Sequence, residues 1–185
     1  MGKIKIAVIV GSLRKDSFNR RLARAVEQLA PQDFEFSHLR IDDLPLYNQD
    51  SDSDYPATAA RLKQDIEAAD ALLFVTPEYN RSIPGVLKNA LDIGSRPWGK
   101  NSFAGKPGGV LGISVGVVGT AVAQQHLRTI LAYLDVPTLG QPEVFIQFKE
   151  GLIDERGRID SDGTRKFLQD FVDRYVAWVR KLQAR

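Results

Sequence analysis

Five apolar runs, each followed by a stretch with helical spacing, constrain this chain of 185 residues more than any other feature. Ile4–Val10, Ala71–Thr76, Val110–Val115 and Val144–Phe148 read as strands, and Phe34, Phe36 and Leu39 mark another, whose alternation slips near His38. One helical pattern runs from Phe18 to Ala30 and stops at Pro31. A second places Ala59, Leu62, Ile66 and Ala69 on one face. A short one spans Ile83 to Ile93, with Pro84 and Gly85 in a first turn where proline's missing N–H is tolerated. Ala123, Leu127, Ile130, Leu131 and Leu134 line the next, and Phe167, Phe171, Tyr175, Val179 and Leu182 the last. Asp42 to Pro56 and Ser95 to Gly108 read as loops. Continuous apolar strands alternating with amphipathic helices need cover on both faces, which a parallel sheet between two helical layers provides. With no repeat and no linker, the expectation is one α/β domain over residues 1–185. Its sheet is doubly wound and five-stranded, in the order 2-1-3-4-5, and ligands then bind beyond the carboxyl ends of strands one and three.

Charge narrows the partners. Lys and Arg number 25 against 23 Asp and Glu, a net charge of +2, with the signs interleaved. That is not the basic field that nucleic acid selects. The absence of cysteine excludes disulfides, thiolate metal sites and thiol nucleophiles. No apolar run reaches the roughly 18 residues of a spanning helix, and the first strand begins without a signal peptide before it. The expectation is a cytoplasmic protein that binds neither nucleic acid nor membrane.

The loop after the first strand, Gly11-Ser12-Leu13-Arg14-Lys15-Asp16-Ser17, leads into a helix start. Such a start carries partial positive charge and favours acids. Here Arg14, Lys15, Arg20 and Arg21 crowd it, and only Asp16 opposes them. A phosphate seated in the turn removes the conflict. Ser12, Ser17 and Asn19 offer hydrogen-bonding side chains, Arg14 a cation, and Phe18 opens the helix beside them. Simple capping by Ser17 is the competing reading, although Arg20 stands where a capping box has Glu or Gln. No Gly-Lys-Ser or Gly-Lys-Thr closes the loop, so a magnesium–nucleotide site is not expected.

The loop after the third strand, Pro77-Glu78-Tyr79-Asn80-Arg81, combines a rigid proline, an aromatic face and an amide. These groups suit a planar heterocycle, while ordinary turn chemistry explains them equally well in isolation. After the fourth strand, Ser114-Val115-Gly116-Val117-Val118-Gly119 allows close backbone approach at its glycines. The chain holds no G-x-G-x-x-G pattern, so a dedicated dinucleotide pocket is unsupported.

Gly11-Ser12-Leu13-Arg14 with Ser17 and Asn19, then Pro77-Glu78-Tyr79-Asn80 with Pro84-Gly85 and Leu87-Lys88-Asn89-Ala90, resembles the NADPH-dependent FMN reductase family over essentially the whole chain. Within it the likeness is to bacterial quinone, chromate and ferric reductases. The resemblance implies a flavodoxin-like fold, a bound FMN, and NADPH or NADH as electron donor. It assigns Ser12, Arg14, Ser17 and Asn19 to the FMN phosphate, and Phe18 to the cofactor site with them. Pro77, Glu78, Tyr79 and Asn80 match the segment along the isoalloxazine, and Ser114, Val115 and Gly116 the loop near its pyrimidine edge. Small-molecule electron acceptors and a homodimer or dimer-based homotetramer follow from the same likeness. Arg81 stands where several relatives carry an aromatic residue, and Asp92-Ile93 where Asp-Trp is common. The resemblance gives no catalytic side chain, because the chemistry belongs to the flavin.

Arg96 is expected in the substrate pocket together with Arg81; the alternative for Arg96 is a solvated cation at a helix carboxyl end. Trp98 neighbours it, lining the pocket or covering a partner subunit. Glu143 and Arg128 are candidates for a pair across subunits. His38 and His126 lack a metal-ligand pattern, and Asp50, Asp52 and Asp54 lack the glycine and distal glutamate of a calcium loop, so no metal site is expected. Two other functions remain open at this point: a reductase that uses FMN as a substrate, and a non-enzymatic flavodoxin-type electron carrier.

Overall fold

In a computed structural model, which describes residues 2–184, strands and helices alternate as β1 (Ile4–Val10), α1 (Phe18–Leu29), β2 (Phe34–His38), α2 (Ala57–Glu67), β3 (Ala71–Val75), α3 (Gly85–Gly94), β4 (Gly108–Ser114), α4 (Ala121–Tyr133), β5 (Val144–Gln147) and α5 (Asp162–Gln183). The strands form one parallel sheet in the order β2-β1-β3-β4-β5. The expected doubly wound topology is the one observed.

The period of two along each strand divides the core. Ile6, Val8 and Val10 of β1, with Leu73 and Val75 of β3, pack beneath α1 and α5. Ala7, Ile9, Leu72 and Phe74 face the other way, against α2, α3 and α4. Within α5, Phe171, Tyr175 and Val179 are buried as their spacing predicts, whereas Phe167 is 38% exposed. The Tyr175 hydroxyl donates to the Leu72 carbonyl at 2.9 Å, which satisfies a phenol that burial holds neutral by raising its pKa. Trp178 packs from the same helix and donates to the Pro137 carbonyl at 3.0 Å.

Several boundaries shift by one or two residues from the sequence expectation, α3 for example beginning at Gly85 rather than Ile83. The loop Asp42–Pro56 contains a 3-10 turn, Gln49–Ser53, whose start is capped by the Asn48 side chain accepting from Asp50 N–H. β4 begins at Gly108 rather than Val110. Its first two residues lack side chains because neighbours fill that space. A Cβ on Gly108 would lie 2.8 Å from Val136, and one on Gly109 would lie 2.9 Å from the Tyr175 ring. Glycine there serves packing, so it carries no strand signal in the sequence.

Candidate cofactor site at the carboxyl edge of the sheet

The loops after β1, β3 and β4 lie side by side, because these three strands are neighbours in the sheet. The Gly11 N–H donates to the Val75 carbonyl at 2.9 Å, fastening the first loop to the end of β3. From Ser12 to Asn19 no backbone N–H finds an acceptor within the described residues. Ser12 and Ser17 are 5% and 3% exposed. The Ser17 hydroxyl accepts from Arg20 N–H at 3.3 Å, so the residue does cap α1. Its own O–H remains free to donate, and capping and ligand binding are therefore compatible. The first turn of α1 contains no acid. Among the described residues Arg14, Lys15 and Arg20 have no carboxylate partner. Arg14 rests over the Phe18 ring at 4.9 Å, and Phe18 stacks on Phe148. Unpaired N–H groups, hydroxyls and an uncompensated guanidinium at a helix start form the donor set of a phosphate cradle.

Asn19 differs from its neighbours. Its amide donates to the Ile113 carbonyl at 2.9 Å and accepts from the Ile113 N–H at 3.1 Å. The side chain thus ties the start of α1 to β4, across 94 residues, and fixes the loop beside it. Asn19→Ala should leave both Ile113 groups buried without partners and destabilise the fold by about 2 kcal/mol. Chemical denaturation measures this; a change below about 0.5 kcal/mol would show that the tie is dispensable.

The loop after β3 is a tight hairpin. Tyr79 and Ser82 exchange both backbone hydrogen bonds at 2.9 Å. Asn80 and Arg81, between them, have φ of 51° and 62°. Left-handed backbone at both central positions is the two-residue hairpin geometry, which asparagine tolerates and arginine resists. The Tyr79 ring is 52% exposed, and the Glu78 and Asn80 N–H groups have no acceptor within the described residues. The Glu78 side chain turns away from this face and is 8% exposed. It accepts from Ala123 N–H at 3.0 Å, in the first turn of α4. Arg81 lies 3.4 Å from the same carboxylate, so its guanidinium is engaged with Glu78. Ser82 meets His126 of α4 at 3.0 Å, which gives that histidine a role in docking the hairpin.

In the loop after β4, Val115 and Val117 are 68% and 83% exposed. Gly119 closes the turn at φ 62°, where a Cβ would press on the Phe145 backbone at 3.0 Å. Gly116 faces open space, its nearest neighbour being the Ser114 hydroxyl that accepts its N–H. The Val115, Val117 and Val118 N–H groups are unpaired among the described residues. The three loops therefore offer hydroxyls and a cation at one end, and an exposed aromatic ring with free N–H groups along the middle and the other end. This donor set fits a phosphorylated, planar ligand.

Arg96 does not join this constellation within the chain. It lies over the Tyr47 and Trp98 rings at 5.8 and 5.5 Å. It lines a cavity of about 400 Å³ with Trp98 and Tyr133, at the far end of α4 from Ala123. Ten residues of helix separate those two ends, or about 15 Å. Trp98 and Tyr133 are 75% and 74% exposed. The Arg96 loop is held from below by Lys63, whose ammonium reaches the Gly94 and Lys100 carbonyls and the Ser102 hydroxyl at 3.2, 2.5 and 2.8 Å. Asn89 clamps the facing loop by accepting from Tyr47 N–H and donating to the Pro45 carbonyl. Lys63 does not stand out in sequence, and Asn89 does so only within the Leu87–Ala90 motif, because each acts on backbone groups far along the chain. Arg128 and Glu143 each have partners in their own chain: Arg128 donates to the Leu139 carbonyl, and Glu143 accepts from Gln125. The Nε and Nη2 atoms of Arg128 stay buried without partners.

Comparison with known proteins agrees with this geometry. Residues 4–151 match the family described as NADPH-dependent FMN reductase. A 2-hydroxy-1,4-benzoquinone reductase of a Burkholderia species is 59% identical over 177 residues, which is 96% of this chain and 97% of that protein. A quinone reductase of Pseudomonas putida is 47% identical over 176 residues, covering 95% and 94% of the two chains. The solved structure of an NAD(P)H:(acceptor) oxidoreductase flavoenzyme from Paracoccus denitrificans superposes with a TM-score of 0.92 at 46% identity, covering 96% of this chain and 98% of the other. A flavodoxin from Pseudomonas aeruginosa, at 19% identity and a TM-score of 0.58, shares the fold. Sheet order, the three loops and a match over most of its length make this chain a member of the NADPH-dependent FMN reductase family.

Proposed function

We propose that the protein is an FMN-dependent NAD(P)H oxidoreductase that reduces quinones and related small acceptors. The observation that carries this reading is the run of unpaired N–H groups from Ser12 to Asn19 beside Arg14, in the loop after β1, whose neighbour β3 leads into the Pro77–Asn80 hairpin. When bound, FMN accepts hydride from a nicotinamide donor and passes electrons to the acceptor. The Ser12 and Ser17 hydroxyls and the Arg14 guanidinium hold the phosphate. Pro77, Glu78, Tyr79 and Asn80 form the rigid edge along the ring, with the backbone N–H groups of Glu78 and Asn80 as donors to it. Ser114, Val115 and Gly116 line the other edge of the ring, where the unpaired Val115 N–H is a further backbone donor to developing negative charge. With no second nucleotide fingerprint, donor and acceptor use one face in turn, a ping-pong scheme. Quinones, chromate, ferric complexes and free flavin are all acceptors that an exposed reduced flavin would serve. The reading places the protein in the cytoplasm, where reduced nicotinamide is supplied.

The deciding experiment is a flavin spectrum of the purified protein, followed anaerobically on addition of NADH and of NADPH. Retained yellow colour that bleaches with either donor supports the proposal. A colourless but active protein would make FMN a substrate, and a yellow protein that no donor bleaches would be an electron carrier.

The reading includes a homodimer, or a tetramer built from it, in which Arg96 serves the partner's site. Two observations favour this: Arg96 is separated from its own loops by the length of α4, and exposed Trp98 and Tyr133 surround it. Arg96→Ala should raise the KM for donor or acceptor about tenfold while FMN stays bound, the loss of one charge-assisted contact. Unchanged steady-state constants with every donor and acceptor would remove Arg96 from the site.

A further inference from the structure

The start of α4 is capped from a distance. Thr120 occupies the N-cap position without a side-chain cap bond, and its hydroxyl instead accepts from Gln124. The first turn of α4 contains no acid of its own. The carboxylate that fills this place is Glu78, brought from 45 residues away to accept the Ala123 N–H at 3.0 Å. It is nearly buried, and the charge facing it is Arg81 at 3.4 Å, itself 68% exposed. The helix start it neutralises follows the Ser114–Thr120 loop directly in the chain.

We infer that the Glu78 carboxylate sets the redox poise of bound FMN through its charge at the start of α4, rather than through contact of that side chain with the flavin. The inference rests on the FMN reading above. A helix start stabilises negative charge near it, and the reduced flavin carries more negative charge than the oxidised one. A carboxylate seated on that start offsets part of the effect and disfavours the reduced form. Arg81 moderates the carboxylate from its exposed side. The pair thus acts as a fixed electrostatic bias between the hairpin after β3 and the loop after β4.

The test is the midpoint potential of the FMN-loaded protein, with oxidised and reduced FMN affinities measured alongside. Glu78→Gln keeps an oxygen for the Ala123 N–H and deletes the charge. It should favour binding of reduced over oxidised FMN by about fivefold relative to the wild type, a positive shift of about 20 mV for a two-electron couple. Glu78→Asp retains the charge and should keep the wild-type potential even where its shorter reach weakens FMN binding. Arg81→Ala, a change at an exposed residue, should shift the potential the other way. That variant decides the matter if Glu78→Gln fails to fold. A potential unmoved in both Glu78→Gln and Arg81→Ala, with both FMN affinities lowered together, would overturn the inference and leave Glu78 a structural cap. A wild-type protein that binds no FMN would overturn the functional proposal and this inference with it, an outcome distinct from unmoved potentials in loaded protein.

Discussion

Gly112→Ala should unfold this protein or lower its melting temperature by about 10 °C, the largest stability loss of any single methyl group at the site. Gly112 sits inside β4, where a Cβ would overlap the Thr76 carbonyl oxygen and the Thr120 hydroxyl and lie 3.0 Å from Thr120 Cβ. The first of these is backbone, at the point where β3 enters the hairpin bearing Tyr79 and Asn80. It cannot rotate away as a flexible side chain would. Thr76 N–H donates to Leu111 O, so pushing Thr76 aside also strains the ladder between the two central strands. The cost of such overpacking is on the order of 3 kcal/mol. Gly116→Ala, in the loop four residues on, is the control. It meets nothing nearer than the Ser114 hydroxyl at 3.9 Å and should leave the melting temperature within about 2 °C of wild type. Equal melting temperatures for the two variants would mean that β3 and β4 can part at this point, contrary to the packing described.

The sequence carried the fold because its information is local. Each strand is an apolar run and each helix an apolar stripe, and both patterns survive in a single chain. Gly108 and Gly109 escaped that reading because their pattern is set by Val136 and Tyr175, which lie elsewhere in the chain. The site divides in the same way. The basic helix start with its hydroxyls is a local oddity, and the unpaired N–H groups around Arg14 sit where that oddity pointed. Asn19 and Glu78 look like further ligand groups in sequence, yet their side chains bond to Ile113 and Ala123, 94 and 45 residues away. No spacing rule encodes such ties. Arg81, which the sequence reading puts in the substrate pocket, likewise has a partner in the fold, Glu78 at 3.4 Å. Arg96 follows the short helix in sequence, and in the fold it lies over Tyr47 and Trp98, at the opposite end of α4 from Ala123.

Arg14→Ala should weaken FMN binding about a hundredfold while leaving the fold intact, the largest functional effect expected of one surface residue. Arg14 is exposed and has no carboxylate partner, so its removal orphans nothing in the free protein. It leans on Phe18 at 4.9 Å, whose ring is fixed against Phe148, so the guanidinium is partly ordered before a ligand arrives. A guanidinium meeting a phosphate in this turn forms charge-assisted bonds, each contributing about 1.5–3 kcal/mol. Arg14→Lys retains the charge but not the planar fork, and should recover only part of the affinity. Fluorescence titration of FMN into the apo-protein gives the dissociation constants, and thermal unfolding without FMN provides the folding control. Salt offers an independent check, because an exposed ion pair weakens with ionic strength and the alanine variant should lose part of that dependence. If Arg14→Ala bound FMN as tightly as the wild type, the phosphate would have to rest on the Ser12 and Ser17 hydroxyls and the backbone donors alone. The crowded cations at this helix start would then serve to steer anions towards the loop rather than to hold them.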